Sequence, residues 1–176
     1  MGPTSNCMLP LMPDAVDRLI AQWQRERPDL DLAAMATIGR LGRLAAHVGP
    51  AVEAVLARHG LSTGEFDVLA ALRRAGAPHR QTPTELAGSL MLSPAAMTNR
   101  LDRLESAGLV TRDPNPASRR SLLVSLTDEG LRVVDAAVTE HVANEEALLA
   151  ALSPTQRAQL DAILRRLLAS FEPPAG

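Results

Sequence analysis

The sequence predicts a mainly α-helical chain with one small β-hairpin, and two observations lead there. Between Thr82 and Gly108 two capped helical runs follow one another with almost no linker, and after Gly108 two strand-like runs flank a proline-containing turn. Thr82 suits the cap of the first helix, because Pro83 falls at the first helical position and Glu85 can close a capping box. Met91 and Leu92 interrupt that helix; Ser93 and Pro94 then repeat the start signal, and a second helix runs to Ala107 and stops at Gly108. Leu109 to Arg112 and Ser121 to Leu126 read as paired strands joined by a turn at Asp113, Pro114, Asn115 and Pro116. Helix, tight turn, helix and hairpin make a winged helix-turn-helix.

The other elements follow in order. Val16, Leu19, Ile20 and Trp23 recur at helical spacing in a run opened by Asp14 and ended before Pro28. Asp29 or Asp31 caps a long helix reaching His59, with Gly60 as its stop and a kink expected at Gly49 and Pro50. Ser62 and Glu65 open another helix whose Phe66, Leu69 and Leu72 face inward, while Asp67 lies off that face and reads as solvated. Beyond the hairpin, Thr127 caps a helix that continues to about Leu152; Ser153, Pro154 and Gln156 open a last one bearing Leu160, Ile163, Leu164, Leu167 and Phe171. These two helices are apolar over more than one face, and the spare surface predicts a symmetric homodimer. The expected organisation is an extension with an added helix over 1–28, a long helix over 29–60 serving the dimer interface and a ligand crevice, a DNA-binding winged helix-turn-helix over 61–130, and dimerisation helices over 131–176.

Placing residues of the second helix-turn-helix helix at 100° each puts Met97, Leu101 and Leu104 on one side. Ala95, Thr98, Asn99 and Ser106 fall on or toward the other, where short or amide-bearing side chains suit close approach to base edges in a major groove. Arg103 flanks that face, placed for a phosphate or a guanine, and Ser93 joins the same set at the cap. Arg112, Arg119 and Arg120 mark the hairpin, where arginines either reach a minor groove or phosphates or simply solvate the loop. The adjoining helix-turn-helix favours DNA. Arg100 is the exception, lying beside Met97 and Leu104. Its stem can snorkel to an acidic neighbour, or its head can hold an anionic ligand.

The net charge of the 176 residues is −2, so affinity for double-stranded DNA must come from a local patch. Between Ser93 and Thr127 five arginines (100, 103, 112, 119 and 120) face three acids (Asp102, Glu105 and Asp113). The four histidines are scattered without metal-ligand spacing, and neither a glycine-rich phosphate loop nor a nucleophile motif is present. No enzyme, cofactor or metal is expected. The single cysteine, Cys7, excludes an internal disulfide framework and fits a reducing cytoplasm, and no apolar run reaches bilayer length. Met1 to Met12 lacks the pattern of a signal peptide, so a cytoplasmic location is expected.

With this order of elements, the chain from near Asp31 to Phe171 resembles the MarR family of bacterial transcriptional regulators. The most family-like residues are SPAAMTNRLDRLESAGLV, Ser93 to Val110, and RRSLLVSLTDEG, Arg119 to Gly130. The symmetric dimer expected from the spare apolar surface suits a palindromic operator with half-sites about 34 Å apart, and the resemblance implies repression. One departure is Ser118, which stands where many family wings have an aspartate before the paired arginines.

The added helix with DRLIAQW, Asp17 to Trp23, and the run EFDVLAALRRAG, Glu65 to Gly76, are similar to the urate-responsive branch of that family. In that branch a tryptophan, an aspartate and two arginines form the urate site, and Trp23, Asp67, Arg100 and Arg112 stand at the matching places. The resemblance thus implies urate as ligand, with citrate, trans-aconitate or a phenolic acid as alternatives. A reading from another class is a helical module whose winged helix binds protein rather than DNA.

Overall fold

The computed structural model describes residues 12–171, the side chains at 119 and 120 excepted. Cys7 lies outside them. The helices are α1 (Ala15–Glu26), α2 (Ala33–Ala57), α3 (Thr63–Arg74), α4 (Pro83–Ser89), α5 (Pro94–Ser106), α6 (Asp128–Leu148) and α7 (Pro154–Leu168), and the strands are β1 (Arg80–Gln81), β2 (Val110–Asn115) and β3 (Ser118–Leu126). The chain divides into two compact units at Gly49 and Pro50, inside α2.

In the first unit Asp14 caps α1, accepting from the backbone N–H groups of Val16 at 2.7 Å and Asp17 at 2.9 Å. Asp17 answers by accepting from the Asp14 backbone at 2.8 Å, so two orphan donors of the helix start are satisfied. Arg40 of α2 reaches both carboxylates, and the methyls of the buried Val16 lie against Gly39. A Cβ on Gly39 would meet Val16 Cγ1 at 3.4 Å, an ordinary van der Waals contact. Asp31 accepts from the Ala33 amide at 3.0 Å and so opens α2, whereas Asp29 pairs with Arg27 instead.

The second unit holds the main core. Leu56 of α2, Leu69 and Leu72 of α3, Leu86 of α4, Met97, Leu101 and Leu104 of α5, Val124 of β3 and Val134 of α6 are at most 2% exposed. Each such side chain contributes about 1.5–3 kcal/mol by leaving water. α3 is the centre of this unit: Phe66, Val68, Leu69, Ala70, Ala71 and Leu72 are all buried, more of the helix than one apolar stripe implies. The capping boxes expected at Ser62, Thr82 and Ser153 are formed, as are the caps at Ser93 and Thr127.

The wing departs from the sequence reading in two respects. The strands extend over Val110–Asn115 and Ser118–Leu126, so Asp113, Pro114 and Asn115 belong to β2 rather than to the turn. Strand order is β1-β3-β2, which makes β2 an edge strand where Pro114 needs no ladder donor. The register shifts at Pro114 and Asn115, and the Asn115 side chain accepts from Ala117 N–H to close the tip. The second departure is β1, which pairs antiparallel with β3 through Arg80–Ser125 and Gln81–Val124. The helices also end earlier than read, α2 at Ala57, α6 at Leu148 and α7 at Leu168.

Candidate nucleic-acid interface

α5 is held by its apolar face. Met97, Leu101 and Leu104 are 1%, 2% and 1% exposed, which leaves Ser93, Ala95, Thr98, Asn99, Arg103 and Ser106 at the surface. Ser93 caps the helix by accepting from Ala96 N–H at 3.3 Å. Thr98 donates to the Pro94 carbonyl at 3.0 Å, which leaves its lone pairs pointing outward as acceptors. The exposed set therefore offers a hydroxyl, a carboxamide and a guanidinium on one helical face. β2 and β3 follow immediately, and Arg119 and Arg120 stand at the start of β3 just beyond the tip.

Arg100 is half-buried. Its Nη1 donates to the Gly64 carbonyl in the first turn of α3 at 3.3 Å, and among the described residues no carboxylate stands within ion-pair distance of it. Glu65, the next residue, feels its field: burial opposes ionisation, but hydrogen bonds from Ser62 and the charges of Arg103 and Arg100 hold the carboxyl below its usual value. The snorkelling expectation is thus only half met. The head has found a carbonyl rather than an acid.

Arg112 sits differently. Its Nη1 lies 2.8 Å from Asp102, its Nε donates to Glu105 at 3.0 Å, and its Nη2 also donates to Glu105. Glu105 follows Arg100 by five residues, about 140° around α5 at 100° per residue. The two arginines are therefore turned to different partners on opposite flanks of one helix. Asp67 is half-buried and lines a recess of about 330 Å³ with Phe66, Ala70, Arg73, Arg74, Val134, Val138 and His141, which includes neither Arg100 nor Arg112. Trp23, in the first unit, is 43% exposed on α1 beside Leu19, Gln22 and Glu26.

In the sequence, Asp102 and Glu105 stand only as charges set against a basic patch. The available signal was their spacing of three on one helix flank, with an arginine a few residues past the glycine stop. Among the described residues no group of three or more metal-ligating side chains gathers, and no helix is long and apolar enough to cross a membrane.

Comparison with known proteins agrees with this architecture. Residues 61–122 match the model of the MarR family. The chain is 41% identical over 152 residues to the HTH-type transcriptional regulator PecS of Dickeya dadantii, covering 86% of this chain and 92% of that one. Over a shorter stretch of 75 residues it is 37% identical to the multiple antibiotic resistance protein MarR of Salmonella typhimurium, covering 43% of this chain and half of the relative. Among solved structures, a mutant MarR of E. coli complexed with operator DNA superposes with a TM-score of 0.67 at 28% identity, covering 78% of this chain and 97% of that one. Sco5413, a MarR family regulator of Streptomyces coelicolor, gives the same TM-score at 28% identity over 80% of this chain and 96% of its own. These relatives are transcriptional regulators rather than enzymes, and the structural neighbours share the winged-helix fold. The chain belongs to the MarR family and is a DNA-binding transcriptional regulator.

Proposed function

We propose that this regulator is a cytoplasmic repressor that binds a palindromic operator as a homodimer and is released by a small anion, with urate as the first candidate. The observation that carries the DNA reading is the exposed face of α5, Ser93, Ala95, Thr98, Asn99 and Arg103, set directly beside the wing. In this reading the face enters the major groove, and Arg119 and Arg120 take phosphates or the minor groove.

The homodimer is supported by α7, which has no buried residue in the single chain although Ile163 is 64% and Leu168 51% exposed. Phe171, just beyond it, is 78% exposed. A helix with this much apolar surface in water is stabilised by a partner.

The ligand reading is supported by Arg100, a half-buried cation whose partner is a carbonyl. Urate is a monoanion near neutral pH, so Arg100 suits its oxygens, Asp67 suits a ring N–H and Trp23 suits stacking on the purine, whereas Arg112, the fourth residue of the resemblance, is already held by Glu105 and Asp102. Because Arg100 belongs to the helix that reads DNA, a ligand that draws it inward shifts Thr98, Asn99 and Arg103 relative to the groove. Release follows if the ligand favours the arrangement that DNA disfavours.

Calorimetric titration of the purified chain with urate tests this reading. Binding at one or two sites per dimer, weakened at least tenfold by Arg100→Ala, is the expected result; absence of binding removes urate, and an unchanged response in Arg100→Ala removes this site.

A further inference from the structure

We propose that Arg112 is a positioning residue for DNA reading, which locks the recognition helix α5 to the first wing strand β2 through Glu105 and Asp102. This rests on α5 and the wing being the elements that contact DNA, as proposed above.

Strand register aims the side chain. Arg112 pairs across the ladder with Val124, and directly opposed residues of an antiparallel pair share a face. Val124 is fully buried and so is Val110, two residues before Arg112 on β2, so Arg112 projects toward the helices and not away from the sheet. Asp102 and Glu105, three apart on α5, lie on the flank that receives it. Each of its three nitrogens meets a carboxylate oxygen, and its side chain is 23% exposed against 53% for Asp102 and 41% for Glu105. The guanidinium is filled by its own protein.

The clamp spans the turn at Gly108, whose φ of 70° carries the chain from the end of α5 into the wing. Without it, the helix and the hairpin share a tight turn and an apolar contact, and among the described residues no other hydrogen bond or ion pair between side chains fixes the angle between them. A protein that reads a major groove with one element and the backbone beside it with another needs that angle set before DNA arrives. The clamp also offsets the negative charge of Asp102 and of Glu105, the latter in the last turn of α5, where it opposes the helix dipole.

The test separates positioning from charge. Duplexes selected from a random library by the full-length wild-type chain supply the specific probe, and unselected duplex supplies the control, both titrated over a range of salt. In the double variant Asp102→Asn with Glu105→Gln two negative charges are gone, so charge alone predicts tighter binding to both duplexes. Positioning predicts about a tenfold loss on the selected duplex with equal or tighter binding to the control. Tighter binding to both overturns the proposal.

The charge exchange Glu105→Arg with Arg112→Glu, made together with Asp102→Asn so that no like charge faces position 112, rebuilds the pair in reverse. It is expected to recover most of the affinity that Arg112→Glu alone loses, and no recovery in a variant that melts like wild type also overturns the proposal. Should the exchange fail to fold, Arg112→Lys decides: a single ammonium cannot span both carboxylates, so discrimination between the duplexes falls if the clamp positions the helix and stays unchanged if it does not. A wild-type chain that selects no duplex defeats the underlying DNA reading, and the clamp with it.

Discussion

The guanidinium of Arg100 occupies the space that a side chain on Gly64 would need: a Cβ built there would lie 2.6 Å from Arg100 Cζ and 2.7 Å from Nε. The recognition helix and the first turn of α3 are thus in contact through a residue with no side chain and a residue with a long one. Gly64→Ala is expected to leave stability within about 1 kcal/mol of wild type, because the better helix former offsets the displaced contact. Its effect should fall on the anion. Calorimetric affinity for urate is expected to drop at least tenfold while the thermal transition barely moves, and retention of full affinity would show that the seat of Arg100 on Gly64 plays no part in binding.

Asn99→Ala and Arg103→Ala should differ in kind. Loss of the Asn99 carboxamide is expected to cost about 1–3 kcal/mol on a selected duplex and to relax the choice of base at one position. Loss of Arg103, if it holds a phosphate, should weaken all sequences evenly and reduce the salt slope by about 1. Binding isotherms at several salt concentrations distinguish the two patterns.

Gly130 in α6 meets backbone, which cannot yield. A Cβ there would stand 2.0 Å from the Leu109 carbonyl oxygen, just where Thr127 N–H also bonds that carbonyl at 3.1 Å. Gly130→Ala is expected to destabilise the fold by about 3 kcal/mol, at the upper end for an overpacked site, measured by urea denaturation. A change under 0.5 kcal/mol would mean that α6 can slide away from the wing.

Asp14 supplies an acid-sensitive element. The Asp17 backbone N–H and then Arg40 hold its carboxyl down from 3.8 to about 2 in the folded chain. A group whose folded pKa is depressed stabilises fully above its unfolded value and loses that contribution as pH falls through the folded one. The contribution of Asp14 should therefore be present above about pH 4 and fade toward about pH 2. Asp14→Asn should lower stability at neutral pH and flatten that part of the acid profile, as read by urea midpoints at each pH; a profile parallel to wild type would remove Asp14 from the account.

The apolar surface of α7 predicts association. Ile163→Arg with Leu167→Asp is expected to convert a dimer into a monomer in sedimentation equilibrium, with loss of tight binding to the selected duplex. A variant that remains dimeric places the interface elsewhere.

Most helix starts are legible in the amino-acid order, because a cap is a local device: Asp14, Ser62, Thr82, Ser93, Thr127 and Ser153 each meet a donor two or three residues away. The buried face of α5 is legible in the same way, since Met97, Leu101 and Leu104 follow from helix geometry alone. The exposure of Thr98, Asn99 and Arg103 comes with it. Features that depend on residues distant in the chain came from packing instead. A two-residue strand such as β1 has no periodicity to read, and it exists because β3 offers it an edge. The extension of the wing strands through Pro114 depends on β2 having a free side. The partners of the two arginines were decided in the same way. Arg100 found a carbonyl 36 residues away, and Arg112 found two carboxylates across a turn, because packing angles and strand register, not spacing, choose which charged groups meet.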